Sequence, residues 1–600
     1  MYLNKRIKAA IIVIAATSLV YGQRNPKIAA DLEGRDPEAS VNVIVQYKHA
    51  PEQRNIDAVA GKGGRHLRTL GLVNGAVYSV AAKALADLAT DPEVELISPD
   101  RKLAATSTTV STPDYGWMSL LGLTSSSATA AYNGTGIGVA VIDSGIGSSN
   151  DFDMGGYQYN NGGYQYNNGY QNNSRLVYSQ SFVSGDSTTA DAFGHGTHVA
   201  GLVGGNGNNS SGWASTYVIR GMAPNVNLIN LRVLDKNGAG TDSGVIAAIQ
   251  QAIALKSQYN IRVINLSLGR PVASSYTTDP LCQAVESAWK AGIVVVVAAG
   301  NQGRNNSAGT AGYGTITAPG NDPYVITVGA MNTEGSLTRS DDKIASYSSK
   351  GPTLFDHVVK PDLVAPGNRM FSVLAPGSTL AVTYPQNIIS SSLVSMMPGF
   401  ESYYFQLSGT SMATPTVSGT AALMLQQNPN LTPDQVKASL MMTATKTFSA
   451  AACPAGHTCT SQAQMATTAT DAVTNVTYTT YYDAFTVGAG YLNAAAALAN
   501  SNIAPAAETA MSPTVTFNSS TNAVTLVTGS SVIWGTNLIW GTSVIWGTST
   551  LSGTSVIWGT SVIWGTGTTS ACNLIWGTSV IWGTGTEATE SSTVTLQGEK

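Results

Sequence analysis

The chain has 600 residues, 43% of them hydrophobic and 11% charged, with a formal net charge of −4. That length exceeds one ordinary domain and can bury at least one large core. The balance leaves no basic footprint for nucleic acid, and charge this far below the usual quarter, replaced by small polar residues, suits an exported protein.

The chain opens on a cationic "MYLNKRIK", an apolar "AAIIVIAATSLV" and a small residue, Gly22. This layout predicts a secretory signal peptide over 1–22; an uncleaved anchor is the competing reading. Residues 23–112 come next. Within them "VNVIVQYK" and "VELISPD" read as strands and "ALADLATDP" as a helix, giving a small α+β unit. The Ser/Thr/Pro-rich stretch "AATSTTVSTPDYG" ends it as a linker.

From 113 to 500 the pattern alternates strand and helix. "GIGVAVID", "NVNLINLRVL", "RVINLSLG", "GIVVVVAAG" and "YVITVGA" are continuous apolar runs, as strands buried on both faces require. "SGVIAAIQQAIALKS" and "PLCQAVESAWKA" read as intervening helices. The expected fold is a doubly wound α/β domain on a mainly parallel sheet, whose chemistry gathers beyond the carboxyl ends of the strands. Two excursions interrupt it: the repeated "GYQYNNG" at 156–169 and residues 375–406.

Residues 501–600 differ again. "SVIWGT" and "NLIWGT" recur with a period of six, keeping Trp534, Trp540, Trp546, Trp558, Trp564, Trp576 and Trp582 in one register. An even period puts Val, Trp and Thr of each repeat on one face of an extended strand. Stacked short strands turning at Gly-Thr are one reading, and a disordered or aggregation-prone tail is the other. Cys453 and Cys459 bracket the turn-forming "PAGHT" and are candidates for a disulfide; a metal site with His457 has too few ligands.

Four short motifs carry chemistry. "GVAVIDSGIG" places Asp143 at the end of a buried strand. "FGHGTHVAGLVGG" places His195 before a helix-like run, with Gly194 and Gly196 allowing close backbone approach. His195 and His198 at i and i+3, with no acidic residue following, do not make a zinc-protease pattern. "VVVVAAGNQG" places Asn301 just past another buried strand, where its amide could donate to an oxyanion. "LSGTSMATPTVSG" places Ser411 where a helix begins, as an N-cap, with Pro415 near the helix start. Each residue alone has an ordinary structural role. Together they supply a nucleophile, a base, an orienting acid and an oxyanion donor on one rim of the sheet.

"AVIDSG", "GHGTHVAG", "AAGN" and "GTSMATP", in that order, resemble the signature blocks of the subtilase family of serine proteases. "KPDLVAPG" and "GAGYLNAAAAL" are similar to further blocks of that family. The resemblance implies a subtilisin-like fold and a serine endopeptidase with Asp143, His195 and Ser411 as the triad and Asn301 in the oxyanion hole. It also implies that Ser267, Leu268 and Gly269 bind substrate backbone. By the same resemblance 23–112 is an inhibitory propeptide, released by cleavage in the 103–113 linker. The chain's partners would be protein or peptide substrates and its own propeptide, with no nucleic acid and no membrane span after the signal is removed. No cofactor is required and no catalytic metal is implied. Asp151 and Asp153 offer ligands for a structural calcium, but the loops around them do not match the family's calcium loops. The expected location is extracellular, with surface or self-association through the repeats; a surface or adhesive protein on a protease-like scaffold is the alternative.

Overall fold

The computed structural model describes residues 25–105 and 132–527, apart from 154–156, 161–162, 167–173, 212–216, 308, 392–401, 455–458, 460–463, 472–473 and 519–522. The signal segment, most of the linker and the Trp repeats lie outside the described residues. The chain divides into two compact units, one ending at Arg101 and one beginning at Lys102.

The first unit is a four-stranded antiparallel sheet with two helices. Its elements are β1 (Ser40–Tyr47), α1 (Gln53–Ala60), β2 (Arg65–Leu70), β3 (Gly75–Ala81), α2 (Leu85–Ala89) and β4 (Val94–Pro99). The strand order is β2-β3-β1-β4. Val43, Val45, Tyr78 and Leu88 belong to a single apolar cluster, which makes this a core in its own right. The two expected strands and the expected helix are β1, β4 and α2. The sequence reading missed β2, where Arg65 and Arg68 interrupt the apolar pattern, along with β3 and α1.

The second unit is built on a parallel sheet. Its strands are β6 (Gly138–Asp143), β9 (Leu176–Ser181), β10 (Asn227–Arg232), β12 (Ile261–Leu266), β14 (Val294–Ala298), β15 (Ile326–Asn332) and β17 (Leu363–Pro366). They lie in the order β9-β10-β6-β12-β14-β15-β17, and a short antiparallel strand, β16 (Lys343–Ile344), also pairs with β15. All five apolar runs enter this sheet. All five strands, β6, β10, β12, β14 and β15, contain almost only buried residues, which is why they read as unbroken rather than alternating.

Chain order reverses at β6, with β9 and β10 to one side and β12 onward to the other. Asp143 ends β6, at the point where such sheets open a crevice. Helices α3 (His195–Gly204) and α6 (Thr410–Gln427) pack together, as do α4 (Asp242–Ala254) and α5 (Pro280–Lys290). Sixteen of the eighteen residues of α6 are buried, so its apolar residues show no one-sided stripe. The "GYQYNNG" excursion contains a hairpin, β7 (Tyr157–Asn160) with β8 (Gly163–Tyr166).

Three further strands make a small antiparallel sheet in the order β11-β5-β13, from β5 (Lys102–Ala105), β11 (Ala239–Thr241) and β13 (Leu268–Gly269). The excursion at 375–406 ends in β19 (Tyr404–Leu407), which pairs with β18 (Met370–Val373). Beyond residue 500 the chain still packs on this unit: Gln435 Nε2 donates to Ala504 O at 2.7 Å, and Ser512 Oγ bonds the buried Asp362. Among the described residues no helix is long and apolar enough to cross a membrane.

Candidate active site

Asp143 and His195 meet across the start of α3. His195 is the first helical residue, after Gly194 in the left-handed region at φ 106. A Cβ on Gly194 would collide with Ser378, and one on Gly196 with the Gly145 carbonyl. Both glycines are therefore required by close approach, as the sequence suggested. His195 Nδ1 donates to Asp143 Oδ1 at 2.7 Å, and the same oxygen accepts from Ser144 N at 2.7 Å. Because Asp143 is the acceptor, Nδ1 carries the proton and Nε2 presents its lone pair. That Nε2 is buried and makes no hydrogen bond among the described residues.

The sequence reading missed the group that fixes this geometry. Asp191, buried just before α3, accepts from Gly194 N, Thr197 N and Thr197 Oγ1, all at 2.7 Å, and from Ser144 Oγ at 2.8 Å. It therefore supplies the cap that Gly194 cannot and holds the residue beside Asp143. Burial raises its pKa above the ordinary carboxylate value, opposed by these four bonds. Its only trace in the sequence is an acidic residue four before the histidine.

Ser411 is not the N-cap that the sequence suggested. The cap position is Gly409, which has no side chain, and Ser411 is the second residue of α6. Its hydroxyl donates to Ser267 O at 3.0 Å, while Ser267 Oγ donates to Ser411 O at 2.8 Å. Pro415 lies inside the helix rather than at its start. Asn301 joins the same cluster through Thr410: its Oδ1 accepts from Thr410 N and Thr410 Oγ1, both at 2.9 Å. Two donors fix that oxygen and so set the orientation of the amide.

Of the three residues expected to bind substrate backbone, Leu268 and Gly269 form β13. They pair with Ala105 and Ala104 of the chain itself, and on the other side Ala239, Gly240 and Thr241 pair with Ala104, Leu103 and Lys102. Ser267 lies one residue before this ladder, in contact with Ser411. Residues 102–105 thus run as a strand between two edges whose nearer end is the serine.

Of the two residues named for calcium, Asp151 has both carboxylate oxygens hydrogen-bonded within the protein. Asp151 is fully buried, with Oδ1 accepting from Asn209 N at 2.7 Å and Oδ2 from Tyr404 OH at 2.8 Å; Tyr404 OH in turn accepts from Ser210 Oγ. Burial raises the Asp151 pKa to about 6, opposed by the bonds from Asn209 N and Tyr404 OH and by the charge of Arg175. Among the described residues no three His, Cys, Asp or Glu side chains cluster as a metal site. His198 is tied elsewhere: its Nε2 lies 3.1 Å from both Met370 O and Phe405 O. Burial, and then the charge of His195, push its pKa down to about 3. Cys453 and Cys459 are joined, with Cα atoms 5.7 Å apart; Cys282 is free and buried, and Cys572 lies outside the described residues.

A buried carboxylate–imidazole pair, a serine at a helix start and an amide beside it, set on the carboxyl edge of a parallel sheet, fit the chemistry of a serine-type endopeptidase domain. Comparison with known proteins gives the lineage. The model of the subtilase family matches residues 134–475, so the chain belongs to the subtilase family. It is 39% identical over 313 residues to serine protease AprX of Bacillus subtilis (strain 168), covering 51% of this chain and 60% of AprX. It is 32% identical over 448 residues to subtilisin E of the same organism, covering 73% of this chain and 94% of that protein. Among solved structures, fervidolysin from Fervidobacterium pennivorans, a keratinolytic enzyme related to subtilisin, shares the fold at a TM-score of 0.53 and 20% identity. That match covers 79% of this chain and 62% of fervidolysin.

Proposed function

We propose that the protein is a secreted serine endopeptidase, made as a zymogen, that cleaves peptide bonds through an acyl-enzyme. The observation that carries this reading is the buried bond from His195 Nδ1 to Asp143 at 2.7 Å, which leaves Nε2 as an open base. Ser411 turns its hydroxyl from Ser267 O toward that nitrogen and gives up its proton as Oγ bonds the scissile carbonyl carbon. The electron pair moves to the carbonyl oxygen, where Asn301 Nδ2 and the Ser411 N–H stabilise it, helped by the positive end of α6. Collapse breaks the C–N bond, and His195 returns the proton to the leaving amine. Water then repeats the sequence on the ester. Asp143 keeps the imidazole in one tautomer and stabilises it while charged.

The zymogen reading is supported by the place of residues 102–105, directly after the small α+β unit and between the cleft edges at 239–241 and 268–269. Residues 23–112 then act as propeptide and inhibitor, and Ser267–Gly269 receive substrate backbone in the same way. The signal segment 1–22 and the low charge of the chain support export, and the Trp repeats serve attachment or self-association. The test is labelling with a fluorophosphonate probe. The parent should be labelled at Ser411 and lose its N-terminal segment, while Ser411→Ala should stay full length. A correctly processed protein that fails to label at Ser411 overturns the reading.

A further inference from the structure

The two edges of the cleft are fastened to each other below the seated strand. Arg270 follows β13 directly, and Asp242 follows β11 directly as the first residue of α4. Arg270 Nε donates to Asp242 Oδ1 at 2.8 Å, and Nη2 donates to both oxygens of Asp279 at 2.7 Å. Asp279 is itself the N-cap of α5, accepting from Leu281 N. All three side chains are almost fully buried. The Arg270 backbone is pinned as well: its N–H donates to Ala318 O at 3.1 Å and its carbonyl accepts from Ala318 N at 2.8 Å. Burial works against the guanidinium charge, and the two carboxylates more than offset it, holding the group above its ordinary range.

Neither α4 nor α5 needs this ion triad to fold. Thr241 already caps α4 through Gly244 N, and well-packed apolar residues commonly stabilise an interior as much as buried ions do. What apolar packing cannot supply is a directional link between one residue at the end of each cleft edge. The strand register sets where that link acts. Gly269 and Ala239 both face Ala104, and Thr241 faces Lys102. Arg270 is therefore level with Leu103, and Asp242 lies one step past Lys102, both on the side of Ala104 away from Ser267 and Ser411.

We propose that Arg270 is a positioning residue for extended substrates. By bridging Asp242 and Asp279 it holds the β11 and β13 edges at the spacing of an inserted strand, so that only peptides reaching three or more residues upstream of the scissile bond benefit. This rests on the peptidase reading above. A bidentate fork reaches two carboxylates from a fixed distance, which a lysine ammonium cannot do. The link thus acts on binding of the upstream backbone and leaves the groups at Ser411 alone.

The test compares chromogenic peptides of two and of five residues with the same residue at the scissile bond. The enzymes are the parent, Arg270→Lys, and the neutral triple variant Arg270→Met/Asp242→Asn/Asp279→Asn, which leaves no unpaired buried charge if the single change fails to fold. Active sites are first counted by fluorophosphonate titration; a parent that does not titrate defeats the peptidase reading rather than this one. The expected result in the triple variant is a fall of about ten- to hundredfold in kcat/KM for the long peptide, carried by KM, a range set by what small misplacements cost. The short peptide should stay within about threefold, because it does not reach the braced positions, and Arg270→Lys should fall between. Equal losses on both peptides, or an unchanged ratio between them, overturn the proposal.

Discussion

Ser267 and Ser411 hold each other reciprocally: the Ser411 hydroxyl donates to the Ser267 carbonyl at 3.0 Å, and the Ser267 hydroxyl donates to the Ser411 carbonyl at 2.8 Å. The second bond has a cause four residues along. Pro415 has no N–H, so the i→i−4 bond that would satisfy Ser411 O cannot form. Ser267 fills that vacancy from another element, tying the residue before β13 to the start of α6. Ser267→Ala should therefore remove a hydrogen bond from a buried carbonyl and cost about 1–3 kcal/mol. Adding Pro415→Ala, which restores the helical donor, should recover most of it. Urea denaturation in a Ser411→Ala background, where self-digestion is absent, measures the cycle; equal, additive losses would show the two positions uncoupled.

Asn301 is oriented by its neighbours rather than by its own position. Thr410 donates twice to its oxygen, which in the proposed mechanism sets the amide nitrogen for the oxyanion. Asn301→Leu should lower kcat with little change in KM, by about 10²–10³, a scale taken over from subtilisin rather than derived from this geometry. Thr410→Val should give a smaller fall in kcat by freeing the amide to rotate. If KM rises and kcat holds, Asn301 binds the ground state instead.

The strands of the sheet were legible because burial on both faces leaves unbroken apolar runs, and the candidates Asp143, His195, Asn301 and Ser411 could be singled out because each stands near the end of an element beside tell-tale glycines. What could not be read were partnerships across long separations. Asp191 serves α3 from outside it, and Pro415 interrupts a helix whose lost bond is replaced by a residue 144 positions away in sequence. The cap at Ser411 was misplaced for a related reason: Gly367 O and Asn301 take up the role a side-chain cap would play. The excursion at 375–406 carried no periodicity to read. Yet Thr379 N and Leu380 N donate to Ala192 O and Phe193 O, bracing the chain just before His195.

That brace and Asp191 support the same turn, and the carboxylate should matter more. Asp191→Ala removes the acceptor of four buried donors at once. It should lower kcat by about a hundredfold through misplacement of His195, with a smaller change in KM. Asp191→Asn keeps one acceptor oxygen and should lie between. Turnover corrected for titrated active sites is the measurement, since a mere loss of folded protein would lower the titre and leave kcat per site unchanged.

His198 gives the fold a pH dependence of definite sign. Its folded pKa of about 3 lies below the ordinary 6.5, because burial and the charge of His195 oppose protonation. The unfolded chain thus binds the extra proton first. This contribution is fully present above pH 6.5 and is lost as pH falls toward 3, at up to about 1.4 kcal/mol per pH unit. His198→Gln keeps a donor toward Met370 O and Phe405 O but cannot titrate. Its stability should vary less steeply than the parent's between pH 4 and 6.5 in urea titrations. Parallel curves would mean that His198 does not set the slope.

Tyr404 supplies a hydrogen bond to the buried Asp151 carboxylate. Its hydroxyl bridges Asp151 Oδ2 and Ser210 Oγ, both at 2.8 Å, and so stitches the end of the 375–406 excursion to the loops after Asp143 and after α3. Chelation by EDTA should therefore leave the melting temperature of the parent unchanged; a drop of several degrees would show that a cation is bound after all. Tyr404→Phe should destabilise by about 1–3 kcal/mol, because a buried carboxylate loses a donor. The sign with pH follows from the raised pKa of about 6. A carboxyl raised above its unfolded value stabilises most below about pH 4 and progressively less as pH rises through 6. Tyr404 relieves part of that loss by bonding the charged form. The penalty of Tyr404→Phe should accordingly grow between pH 5 and 8, and a penalty that shrinks over that range would contradict a bond from the tyrosine to the ionised carboxylate.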